Sequence, residues 1–193
     1  MKFAICAVFV VLIAAGAVAA DPADVVLQVG DAAPAFSALD DNGEKWNSGD
    51  YAGEKVLVVY FYPAAMTGGC TAQACAYRDD KSALDEIDAV VVGISGDRVE
   101  NLKVFKQVHN LNFTLLSDQS GEIARQFGVP VRQGGTITRT VDGEQVELAR
   151  SVTTSRWTFV IDKEGKIIYK NTEVNAAEDS KAILSLLRPS AGQ

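Results

Sequence analysis

Residues 55–62, KVLVVYFY, form a nearly unbroken run of β-branched and aromatic side chains with no polar alternation. A strand with one solvated face alternates polar and apolar residues, so this run requires a strand covered on both faces, in a parallel or mixed sheet. Pro63 ends it. After the loop 64–69, a polar, alanine-rich stretch opened by Cys70 and running to about Ile87 reads as a helix, and 89–94, AVVVGI, as a second doubly buried strand. The order is β-α-β.

The rest of the chain supplies further layers. Asp97 and Glu100 have the spacing of a capping box, followed by Val99, Leu102, Phe105 and Val108 at helical intervals. Residues 113–116 read as a short strand and 121–127 as a short helix. The pair Asp142-Gly143 between ITRTV and EQVEL predicts a tight hairpin over 136–150. Strands 158–161 and 166–169 flank the turn 162–165. A closing helix is expected from Asn175, capped by Glu178, with Ala182, Ile183, Leu186 and Leu187 turned inward. Residues 21–54, broken by Gly, Asp and Pro, predict an irregular lead-in with one hairpin. The fold class is therefore α/β, a three-layer sandwich around a central mixed β-sheet.

The first twenty residues are set apart from that fold. Lys2 precedes an uncharged apolar run from Phe3 to Val18 that closes on the small residues Ala17, Ala19 and Ala20 before Asp21, the pattern of a cleaved export signal. A membrane anchor needs a longer apolar stretch, and Cys6 lies too near the start to mark a lipoprotein. The expected arrangement is a signal peptide, 1–20, and one domain, 21–193, exported to a periplasmic or extracellular space with no membrane contact after cleavage. The chain carries 18 basic against 25 acidic residues, for a net charge of −7, which excludes nucleic acid as a partner. The balance and the lack of an evident apolar patch favour a monomer.

A domain of this length needs no disulfide to stabilise it, so Cys70 and Cys75 call for another explanation. Cys70 is placed at a helix start, where unpaired N–H groups and the helix dipole stabilise a thiolate. Thr67 lies three residues earlier, close enough for its hydroxyl to bond the sulfur or an incoming oxygen, and Pro63 offers a rigid apolar wall with no N–H. Two cysteines in an exported protein often form a structural disulfide. Here the helix opposes it: five residues along a helix separate Cα atoms by about 8.7 Å, and a disulfide tolerates no more than about 7 Å. Oxidation of the pair must unwind the first turn, which describes a switch rather than a staple.

The segment FYPAAMTGGCTAQAC, 61–75, with Pro63, Thr67 and Cys70 in the spacing P-x-x-x-T-x-x-C, resembles the peroxiredoxins, specifically the Q-type or bacterioferritin-comigratory branch. RWTFVIDKEGKI, 156–167, and SDQSGEIARQFGV, 117–129, extend the resemblance. It implies a thioredoxin-like fold and a thiol-dependent peroxidase reducing hydrogen peroxide and organic hydroperoxides. Cys70 would be peroxidatic, Cys75 resolving, Thr67 hydrogen-bonding and Pro63 shielding, with Arg156 polarising the peroxide. The implied partners are a hydroperoxide and a thioredoxin-like dithiol reductant, with no bound cofactor and no metal. Gly68 and Gln73 depart from the branch, which often has Pro and Glu there. His109, at a helix end, is a surface or dipole residue rather than a base.

Two other readings compete. An exported thioredoxin-like thiol-disulfide oxidoreductase would share the fold, but it usually carries C-x-x-C and a proline where this chain has Arg156. A non-enzymatic binding module would use its cysteines only to lock a loop.

Overall fold

Successive side chains of Val56–Phe61 alternate between two cores, Val58 and Tyr60 entering one and Leu57, Val59 and Phe61 the other. The computed structural model describes residues 25–188, so the expected leader lies outside them. In chain order the elements are β1 (Ser37–Asp40), β2 (Lys45–Asn47), β3 (Val56–Phe61), α1 (Gly68–Asp79), α2 (Lys81–Asp85), β4 (Ala89–Ser95), α3 (Val99–His109), β5 (Thr114–Ser117), α4 (Glu122–Gln126), β6 (Val131–Val141), β7 (Glu144–Thr154), β8 (Trp157–Ile161), β9 (Ile167–Asn171) and α5 (Asp179–Leu187).

Seven strands form one sheet in the order β2-β1-β5-β4-β3-β8-β9. β3, β4 and β5 run parallel, while β8 lies antiparallel to β3 and β9 to β8. Helices α1, α2, α3 and α5 cover one face through Ala74, Tyr77, Leu84, Leu102, Phe105 and Ile183. On the other face α4 and the lead-in bury Ile123, Phe127, Phe36 and Trp46. The expected three layers and mixed sheet are present. Gly93 is required in β4 because a Cβ there would meet the Tyr60 ring and hydroxyl at 2.6 Å.

Several local expectations change. The helix expected to run from Cys70 to Ile87 begins at Gly68 and breaks at Asp80, whose backbone N–H donates to Ala76 O and caps α1 while its carboxylate accepts the Ser180 hydroxyl at 2.7 Å. The Asp97 capping box does not form: Arg98 holds the cap position, and Asp97 turns inward to bond the Ala65 N–H at 2.8 Å. Val108 is exposed. The closing helix starts at Asp179, because Asn175 instead makes a local turn to Ala177 and Glu178. Its inward residues are Asp179, Ser180, Ile183 and Leu184, leaving Ala182 and Leu186 exposed. The hairpin is far longer than 136–150, with two 11-residue strands forming a separate sheet.

Candidate active site

β3 delivers the chain to the site. Its ladder continues to Tyr62, whose N–H donates to Ile94 O, and Pro63, half-buried and without an N–H, ends the strand. The next residues are held from two sides. Asp97 Oδ2 accepts the Ala65 N–H and the Ser95 hydroxyl, at 2.8 and 2.9 Å. From the long hairpin, Arg139 Nε donates to Met66 O at 2.8 Å, and Met66 sits at φ 61°. Burial pushes the Asp97 carboxyl above the usual carboxylate range, against the opposing effect of those two bonds.

Thr67 caps α1 in extended geometry, so Cys70 is the third helical residue rather than the first. It remains in the first turn, where unpaired amides and the dipole favour an anion, and no acidic residue opposes it there. Cys70 is 2% exposed, and so shielded from bulk water. The Thr67 hydroxyl does not reach for the sulfur. It donates to Ala64 O at 2.9 Å, which leaves its oxygen free only to accept.

Sheet register brings Arg156 to the sulfur. β8 pairs with β3 through Phe61 and Trp157, so the residue before Trp157 lies beside the end of β3. Arg156 Nη2 donates to Cys70 Sγ at 3.2 Å across 86 residues of sequence. Its Nη1 donates to Gln73 Oε1. Gln73 Nε2 in turn donates to Asp179 Oδ2 at 2.7 Å, where the Tyr77 and Thr158 hydroxyls also donate, each at 2.8 Å. Cys75, half-buried, lies on the same continuous helix, and both thiols are free.

The structure thus brings together Cys70, Arg156 and the loop carrying Pro63 and Thr67, with Cys75 a turn and a half further along the helix. Sequence reasoning noticed Gln73 only as a departure and missed Asp179, Tyr77, Thr158, Asp97 and Arg139. Gln73 and Tyr77 follow Cys70 at helical spacing and were findable; Asp179 is 106 residues from Gln73 and was not. His109 packs its ring edge-on to Phe105 at 5.3 Å, and its carbonyl accepts from Arg78. It ends α3, half-buried, and burial first, then the charge of Arg78, lowers its pKa. No cluster of metal-binding side chains occurs among the described residues.

A buried thiol in a helix's first turn, a guanidinium on its sulfur and a thioredoxin-like mixed sheet together define a thiol-active oxidoreductase. The chain belongs to the AhpC/TSA family, whose model matches residues 29–170. It is 39% identical to Peroxiredoxin Bcp of Escherichia coli (strain K12) over 165 residues, 86% of this chain and 98% of that protein. It is 36% identical to Peroxiredoxin Bcp of Bacillus subtilis (strain 168) over 162 residues, 84% of this chain and 96% of that one. The crystal structure of Peroxidoxin BcpB from Mycobacterium tuberculosis superposes with a TM-score of 0.69 at 32% identity, covering 84% of this chain and 97% of that chain. The chain is accordingly a thiol-dependent peroxidase of the peroxiredoxin type, and these relatives favour that activity over thiol-disulfide exchange.

Proposed function

We propose that Cys70 is the peroxidatic nucleophile, that Arg156 and Thr67 position the peroxide, and that Cys75 resolves the oxidised sulfur within the same chain. The observation that carries this reading is Arg156 Nη2 at 3.2 Å from Cys70 Sγ, with that sulfur in the first turn of α1. A cation and a helix N-terminus aimed at one buried sulfur stabilise its thiolate and the negative charge that develops on the peroxide.

The thiolate attacks the distal oxygen of a hydroperoxide, hydrogen peroxide or organic. An S–O bond forms and the O–O bond breaks, and the leaving oxygen takes up a proton from solvent, matching the one the thiol released on ionising, and departs as alcohol or water. The Thr67 oxygen, its own proton committed to Ala64, accepts from the hydroperoxide O–H and orients it. Pro63 walls the loop without adding a donor. Cys75 then attacks the Cys70 sulfenic acid, forming the disulfide and releasing water. A thioredoxin-like dithiol reduces that disulfide by exchange. Both cysteines lie on one helix, which supports a monomer as the working unit.

Rapid mixing with hydrogen peroxide tests the assignment. Cys70→Ser should abolish reaction, Cys75→Ser should complete one turnover and stall, and Arg156→Ala should slow the first step by about 2–4 kcal/mol of barrier. A single-turnover rate in Cys70→Ser equal to wild type refutes it. Export is also part of this reading, supported by the apolar run after Lys2 and the small residues before Asp21. Mass spectrometry of the native protein should find an N-terminus near Asp21; retention of residues 2–20 contradicts export.

A further inference from the structure

We propose that Asp179 is a positioning residue for peroxide reduction, fixing the Gln73 amide and through it the Arg156 guanidinium on the Cys70 sulfur, and that the Cys70–Cys75 disulfide takes this set apart. The inference rests on the roles proposed above for Cys70 and Arg156.

The argument is one of donors and acceptors. A guanidinium can only donate and a carboxylate can only accept. Gln73 stands between them with one end of each kind. Only one orientation satisfies both neighbours: the carbonyl toward Arg156 Nη1 and the amide nitrogen toward Asp179 Oδ2, as observed. Without an acceptor at 179 the amide can rotate and turn its NH2 toward Arg156, setting donor against donor. The guanidinium then loses the contact that aims its other nitrogen at the sulfur.

Burial makes this arrangement strict. Gln73 and Thr158 are 0% exposed and Asp179 is 2% exposed, so water is not available to replace a lost partner. Asp179 forms no salt bridge among the described residues; its Oδ2 is held by the three donors and by its place in the first turn of α5. Its other oxygen, Oδ1, is buried without a partner. An asparagine can therefore keep an oxygen toward the three donors, with its nitrogen at the buried, unpartnered position of Oδ1.

Gln73 also lies between the two cysteines on α1, in the segment whose geometry must change before they can join. Disulfide formation pulls Gln73 away from both Asp179 and Arg156. The reactive arrangement and the disulfide are then mutually exclusive, and re-forming the Gln73 contacts helps to restore α1 after reduction.

The test is a cycle of stopped-flow rates for the first peroxide step. Asp179→Ala should slow it about 10-fold or more, Asp179→Asn should recover most of the loss, and Asp179→Ala in a Gln73→Ala background should have little further effect. An unchanged rate in Asp179→Ala, an asparagine as slow as the alanine, or equal slowing in both backgrounds overturns the proposal. Cys70→Ser, run alongside, separates the two readings: if it reacts as wild type, the assignment of Cys70 fails whatever Asp179 does. Should the alanine variants not fold, wild-type protein with nitrogen-15 glutamine decides. The Gln73 NH2 protons should exchange slowly in the reduced protein and rapidly once the disulfide forms, and rapid exchange in the reduced state contradicts the claim.

Discussion

Cys70 owes its setting to residues that are not themselves reactive. Asp97, 1% exposed, holds the Ala65 N–H and so shapes the loop that carries Thr67. Its pKa is raised by burial, against bonds from Ala65, Ser95 and Asn101 and the charge of Arg150. A raised native value means that the folded protein binds this proton more tightly than the unfolded chain. Stability therefore falls as pH rises from the ordinary carboxylate range to the raised value, and the ionised form above it is a cost. Asp97→Asn keeps an acceptor for Ala65 and removes the titration. Denaturant melts should show the variant gaining on wild type as pH rises through that window; parallel stability profiles contradict this. Asp118, also raised by burial, contributes equally to both proteins. Cys70 and Arg156, which the structure brings together, stood out in the sequence because their spacing and flanking strands carry a pattern, whereas the Thr67 hydroxyl, expected at the sulfur, bonds Ala64 O instead. Asp97 was misread as a helix cap because spacing alone does not reveal that its carboxylate is drawn into the core.

At the scale of elements, the first turn of α1 carries Cys70 and leads into the segment between the two cysteines. Gly68 occupies its first helical position, where proline is favoured, and a Cβ there would meet nothing within 4 Å. Thr67 is already extended, φ −103° and ψ 150°, as a residue before proline must be. Gly68→Pro should stabilise the reduced protein by about 0.4–1 kcal/mol. It should also slow disulfide formation, because the turn becomes harder to unwind. Thermal melts and single-turnover resolution kinetics check both, and faster resolution contradicts the account. The break at Asp80 coincides with contacts that local sequence does not reveal: Ser180 donates to the Asp80 carboxylate, and Gln73 of α1 donates to Asp179. The hairpin's turn was legible from Asp142-Gly143, but its length was not. β6 and β7 form a sheet of their own, joined to the segment after β4 by the Asp97–Arg150 bridge, and their mostly half-exposed or exposed residues lack the signature of a core strand.

Across the whole molecule, the doubly buried β3 and β4 printed their environment into sequence, so the layered fold was readable before the site was. Their ladders, β3 to β4 and β3 to β8, do not depend on the cysteines. The helix carrying both cysteines does, since about 8.7 Å between Cα atoms in a helix exceeds the disulfide limit of about 7 Å. Hydrogen exchange on reduced and oxidised protein tests this directly. Residues 64–80 should be protected in the reduced form, lose protection on oxidation by peroxide and regain it with a dithiol, while 55–62 stay protected in both states. Equal protection of 64–80 in the two redox states would contradict the claim that Cys70 and Cys75 form the disulfide of the catalytic cycle.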